Sequence, residues 1–171
     1  VSMPIFMIGI KDKIVNPSER VRRHMAIEVI LNLLIGKSSN LYKKLYEEQI
    51  LLGEADSEYE FSNQYAHILI SGQSNNPQLV QNMLITEIEK LKNNGFVAED
   101  FERMKRKIYG EFVTEFNDVA SISRMFLADT VKQINSFDYV DEYDNITMEY
   151  AKELLNEVFV EDKMVLSVIK N

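Results

Sequence analysis

Two histidines, His24 and His67, are the chain's whole supply of imidazole, and it contains no cysteine. Hydrolytic zinc needs about three protein ligands, commonly paired histidines one helical turn apart with a carboxylate. Around His24 the sequence runs H-M-A-I-E, which is neither H-E-x-x-H nor H-x-x-E-H. His24 therefore reads as a partly exposed helix residue and His67 as a strand residue, neither as a metal ligand. Thiolate zinc sites, disulfides and thiol catalysis are excluded outright. No G-x-S-x-G, P-loop or G-x-G-x-x-G occurs, so nothing points to a serine hydrolase or a nucleotide site. Carboxylates do gather at Glu47, Glu48, Glu54, Asp56 and Glu58. They could act as an acid–base pair only inside a pocket; otherwise they are a solvated acidic rim, the reading adopted. No residue is assigned a catalytic or metal-binding role.

Charge narrows the partners. With 27 acidic against 19 basic residues, the net charge of -8 repels a phosphate backbone. The densest basic cluster, Arg103, Lys105, Arg106 and Lys107, is interrupted by apolar residues at helical spacing and reads as a solvated helix face. No apolar run approaches the roughly 20 residues that span a bilayer, and no signal peptide precedes Met3. Neither nucleic acid nor membrane is an expected partner, and a cytoplasmic location is the expectation. At 171 residues the chain fits one domain, residues 1–171, with enough length to bury a core unaided. It begins at Val1 with a strand pattern already under way at the third residue, which suggests a piece of a longer chain.

The elements that would position any site follow from periodicity. Residues 4–10 form a nearly continuous apolar run, expected as a strand buried on both faces. After Asn16-Pro17, Ser18 is a plausible N-cap for a helix carrying Ala26, Val29, Ile30, Leu33 and Leu34 at three- and four-residue spacing. Gly36 is expected to end it in left-handed geometry. Ser38 or Ser39 caps a second helix with Leu41 and Leu45 on one face. Residues 58–62 and 65–72 alternate as a hairpin about Asn63-Gln64, with Ala66, Ile68 and Ile70 inward. A helix then carries Leu79, Val80, Met83, Leu84, Ile88 and Leu91, and another carries Phe101, Met104, Ile108, Phe112 and Phe116 over residues 99–117. Asp118 or Ser121 caps a third, with Ile122, Met125, Phe126, Ala128, Asp129 and Val131. Residues 135–145 read as a connecting loop or short helical turn, Thr147 opens a last helix to about Val158, and residues 163–170 form a terminal strand. The order indicates an α+β domain with helices on one face of a mixed, largely antiparallel sheet.

The run S-S-N-L-Y-K-K-L-Y-E-E, then a glycine, a Y-x-F strand and the return Y-A-H-I-L-I-S-G-Q-S-N-N-P, resembles the pitrilysin/insulinase (M16) zinc metallopeptidase family. It looks most like the second domain of the bacterial processing-protease-like members, and the likeness covers nearly the whole chain. The resemblance implies the M16 domain fold, of LuxS/processing-peptidase type, in which two domains form a half and two halves close around an unfolded peptide. It implies zinc in a preceding domain of the same chain, held by H-x-x-E-H and a distal Glu, and no cofactor here. The implied partners are that domain, a second M16 half or subunit, and a peptide substrate. The family's Arg and Tyr, seven residues apart after the L-x-x-L turn, fall on Tyr46 and Gly53, so that substrate-polarising role is not carried over and would come from the opposite half. Tyr46 and Tyr59 are the candidates for side chains facing a substrate. The resemblance thus implies a non-catalytic domain that walls the chamber of a zinc endopeptidase and supports the zinc domain, inactive by itself. The alternative is an assembly domain in a catalytically inactive M16 relative.

Overall fold

A computed structural model describes residues 3–170. Its sheet contains β1 (Ile5–Lys11), β2 (Asp56–Phe61), β3 (Ala66–Gln73) and β4 (Met164–Ile169) in the order β2-β3-β1-β4, and each of the three pairings is antiparallel. Ile8 lies opposite Ile70 on one side and Leu166 on the other. Because successive side chains alternate across a strand, Phe6, Ile8 and Ile10 join Tyr59, Phe61, Ala66, Ile68 and Ile70 on one buried face.

Helices cover that face alone. The central one, α1 (Pro17–Leu34), lies over the sheet with Met25, Ala26, Ile27, Ile30, Leu31 and Leu34 buried. Around it pack α2 (Asn40–Glu47), α3 (Pro77–Asn94), α4 (Ala98–Thr114) and α7 (Met148–Val158). Between α4 and α7 run α5 (Val119–Val131) and the single turn α6 (Asp138–Asp141). The opposite face of the sheet is bare: Ile5, Met7, Val165 and Ile169 are exposed, and Leu69 half-buried. The expectation that β1 is buried on both sides therefore fails, since no described residue lies over its second side.

Caps follow local chemistry. Ser39, Asn76, Asp118 and Thr147 each accept a hydrogen bond from a first-turn N–H of the helix that follows. At α1 the N-cap is Asn16 rather than Ser18, because Pro17 at the first helical position needs no donor and has its φ already set. Gly36 also departs from expectation. Its φ is not positive, unlike that of Gly95 (75°), which follows α3. The need for glycine there is steric, since a Cβ would stand 2.5 Å from the backbone oxygen of Asn32. Gly36→Ala should therefore lower stability by about 1–3 kcal/mol in denaturant unfolding. An unchanged midpoint would show that the α1 terminus gives way freely.

Candidate functional site

His24 sits on α1 between rings: Phe61 at 5.4 Å, Tyr139 at 5.7 Å and Tyr59 at 6.1 Å. Its Nδ1 is 2.8 Å from the Tyr139 hydroxyl, and its Nε2 is 4.0 Å from Glu28 Oε1. Burial, then the nearby Lys132 charge, pulls the imidazole down to about 4. Burial likewise pushes Glu28 up to about 7, only partly opposed by the Tyr59 N–H that it accepts and assisted by Glu58 and Glu111. His24 and Glu28 are therefore both uncharged between about pH 4 and 7. They line a cleft of about 310 Å³ between α1, α4, α5 and α6, with Glu111, Phe112, Glu115 and Asp129 among its other walls.

Beside this cleft lies a buried ionic brace. Arg23 Nε donates to Asp12 Oδ2 at 2.7 Å and Nη2 to Asp12 Oδ1 at 2.6 Å, while Nη2 also reaches Glu157 Oε1 at 2.7 Å. The Tyr59 hydroxyl donates to Asp12 Oδ2 at 2.8 Å. Burial pushes the Asp12 carboxyl up, but the Arg23 and Tyr59 hydrogen bonds outweigh it and hold it below its ordinary value. The brace ties the end of β1 to α1, β2 and α7. Its sequence signal was Arg20 and Arg23 on the same helical face as Ile27, Ile30 and Leu34, where a solvated cation does not belong.

The remaining sequence candidates disperse. His67 is on β3, pointing to the bare sheet face against the Tyr65 ring, so the sheet separates it from His24. Tyr46 is 58% exposed and stacks on Tyr42. Tyr59 is only 3% exposed with its hydroxyl committed to Asp12, so it has no free surface to offer a substrate. Glu47, Glu48, Glu54, Asp56 and Glu58 are all exposed. Glu54 and Asp56 edge a shallow groove of about 430 Å³ that continues to Ile5, Ser71 and Gln73 on the bare sheet face. In the basic cluster, Arg103 pairs with Asp100 and Lys107 with Glu111, whereas Lys105 is buried with its ammonium 4.5 Å from the Tyr143 ring centre. That last residue corrects the reading of a wholly solvated face.

No three His, Cys, Asp or Glu side chains among the described residues are grouped to hold a metal ion. Of the two imidazoles, one is enclosed by aromatic rings and the other lies across the sheet. No helix is long and apolar enough to cross a membrane among the described residues.

Residues 13–108 match the family described as the peptidase M16 inactive domain. A relative in Bacillus subtilis (strain 168), described as the uncharacterized zinc protease YmfH, is 26% identical over 173 residues, covering 95% of this chain and 38% of the relative. An M16-like peptidase from Alicyclobacillus acidocaldarius has the same fold, with a TM-score of 0.90 at 23% identity over 98% of this chain and 41% of its own. A protease from Helicobacter pylori superposes with a TM-score of 0.80 at 19% identity, over 100% of this chain and 42% of its own. The chain thus spans about two-fifths of the length of these relatives. The family match takes in α1 to α3, the hairpin between them and the first part of α4, and on it the chain belongs to the peptidase M16 family as one of its inactive domains.

Proposed function

We propose that residues 1–171 are one domain of a longer zinc endopeptidase, walling its substrate chamber and supporting a preceding zinc-bearing domain. The observation that carries this reading is the bare sheet face. Ile5, Met7, Leu69, Val165 and Ile169 form an apolar strip, and Glu54, Asp56 and Glu58 give it an acidic margin. Such a surface can hold an extended peptide by apolar contact and charge without a catalytic group of its own. Tyr46, exposed at the end of α2, is the candidate for a substrate-touching side chain. A second M16 half would close the chamber, and the cytoplasm is its proposed location.

Two measurements test this. Zinc titrated calorimetrically into the chain alone should show no stoichiometric binding at micromolar or better affinity, and a one-to-one site would overturn the non-catalytic assignment. In the longer polypeptide, Met7→Glu with Val165→Glu should slow cleavage of an unfolded peptide several-fold without shifting the melting temperature. Unchanged turnover would remove the sheet face from the chamber. The second reading, an assembly domain in an inactive relative, is selected instead if no H-x-x-E-H precedes this domain.

A further inference from the structure

The open sheet has two edges, and they are finished differently. Along β2 run Asp56, Glu58 and Glu60, and the outward N–H of Tyr59 donates to Glu28 Oε1 at 2.9 Å, so a carboxyl stands where a further strand would pair. That edge is blocked at its centre. Along β4 the sequence M-V-L-S-V-I has no charge and no proline, and its register with β1 runs without a bulge, so three devices that keep an edge from pairing are all missing. The Ser74 N–H donates to the Pro4 oxygen and the Asp12 N–H to the Ala66 oxygen, so even-numbered residues of β1 bond to β3 and odd-numbered ones to β4. Val165, Ser167 and Ile169 therefore bond inward to β1. The main-chain groups of Met164, Leu166 and Val168 point outward, and no strand among the described residues meets them.

The strand is close to a palindrome about Ser167. With that residue on a two-fold axis, Val165 falls opposite Ile169 of the other copy and Leu166 opposite its Val168, aliphatic against aliphatic. Val165 and Ile169 are 68% and 60% exposed on the bare face, so this register covers side chains that the domain leaves in water. Leu166 and Val168 carry the outward main-chain groups and meet as hydrogen-bonded pairs, while the two Ser167 residues meet as a non-hydrogen-bonded pair. Backbone and side chains select the same register. Each chain has a net charge of -8, yet no ionisable side chain lies between Met164 and Ile169, and Lys170 is carried toward the other copy's turn Glu161–Lys163, which holds two acids and one base. A like pairing of β2 would set Asp56, Glu58 and Glu60 against themselves. We propose that β4 pairs antiparallel with β4 of a second copy of this chain, joining two four-stranded sheets into one of eight strands. The contact uses the edge of the sheet, and it holds whether or not the face walls a chamber.

The chain has no cysteine, so introduced thiols report the register directly. Facing residues of a non-hydrogen-bonded antiparallel pair lie about 4.5 Å apart at Cα, within disulfide reach, so Ser167→Cys should link two copies covalently under mild oxidation. Val165→Cys should not, because the two copies of that position would stand four residues, or roughly 13 Å, apart along the strands. Sedimentation equilibrium of the unaltered 171-residue chain should show a concentration-dependent dimer. Val168→Pro removes an outward donor without touching the β1 ladder, and Ser167→Lys sets like charges opposite each other; each should weaken the dimer by about tenfold or more. Both positions are exposed, so circular dichroism should show the fold unchanged, and Ser167→Lys keeps the test intact if the proline variant melts early. A monomer at every concentration, a dimer that neither variant weakens, or linking by Ser167→Cys no faster than by Val165→Cys would each overturn the proposal.

Discussion

Arg23→Met should lower the stability of the domain by about 3–5 kcal/mol, because it strands a carboxylate that the fold has already taken out of water. The Asp12 side chain is fully buried, and its ionised form is held by two Arg23 nitrogens and the Tyr59 hydroxyl. Methionine fills much of the same space, so little of the cost comes from a void. Adding Asp12→Asn should recover at least half of the loss, since the amide oxygen still accepts from Tyr59 and no charge is left unpaired. Glu157, the brace's outer member, is 39% exposed and can turn to water when Arg23 is gone. Guanidinium unfolding of the three proteins checks this. A single-variant cost below about 1 kcal/mol, or a double variant as unstable as the single, would show the brace to be energetically idle.

The second large effect depends on pH. Glu28 has a folded pKa of about 7 against 4.5 for the free side chain, so the native state holds a proton that the unfolded chain has released. Its contribution to stability is therefore fully present below about pH 4.5 and is lost as pH rises through 7. Glu28→Gln keeps an oxygen for the Tyr59 N–H but has no charge to bury. The variant should be more stable than the parent by about 1–3 kcal/mol at pH 8, with most of the advantage gone at pH 5. The groups facing Glu28 are His24, Glu58, Glu111 and Lys107. His24 titrates near 4, so it stays neutral through this window. Melting curves at intervals between pH 5 and 8 test the claim, and a stability difference that does not vary with pH would defeat it.

Periodicity made the elements legible because it is local. The stripe from Ala26 to Leu34 and the alternation of Ala66, Ile68 and Ile70 needed nothing beyond their own neighbours, and both lie where they were expected. What was not legible depended on residues far apart in the chain. Arg23 lies on the apolar side of its helix, but its partners Asp12 and Glu157, the latter 134 positions away, are not marked by any local pattern. Tyr59, a candidate for facing a substrate, is enclosed for the same reason, since the Asp12 that takes its hydroxyl is 47 positions away. The Ile122, Met125 and Phe126 stripe signalled a face that should be covered, but periodicity does not say by what, and here these residues are only half-buried. Residues 4–10 carried the same ambiguity, since an apolar strand records the demand for burial on two sides while the helices of this domain meet only one. Gly36 was identified as an end signal for the wrong reason: the constraint is the oxygen of Asn32 four residues back, not a turn of hand.

The place of β1 in the middle of the sheet bears on how the molecule comes into being. Its residues 5–10 pair with residues 164–169, so nearly the whole polypeptide intervenes between two adjacent strands. During synthesis β1 emerges well ahead of β4 and waits for it until the last helix of the domain has left the ribosome, with one row of amide and carbonyl groups unmet. Closure of so long a loop is slow. A chain released before β4 would keep every helix sequence and still present a sticky apolar edge, a natural substrate for chaperones.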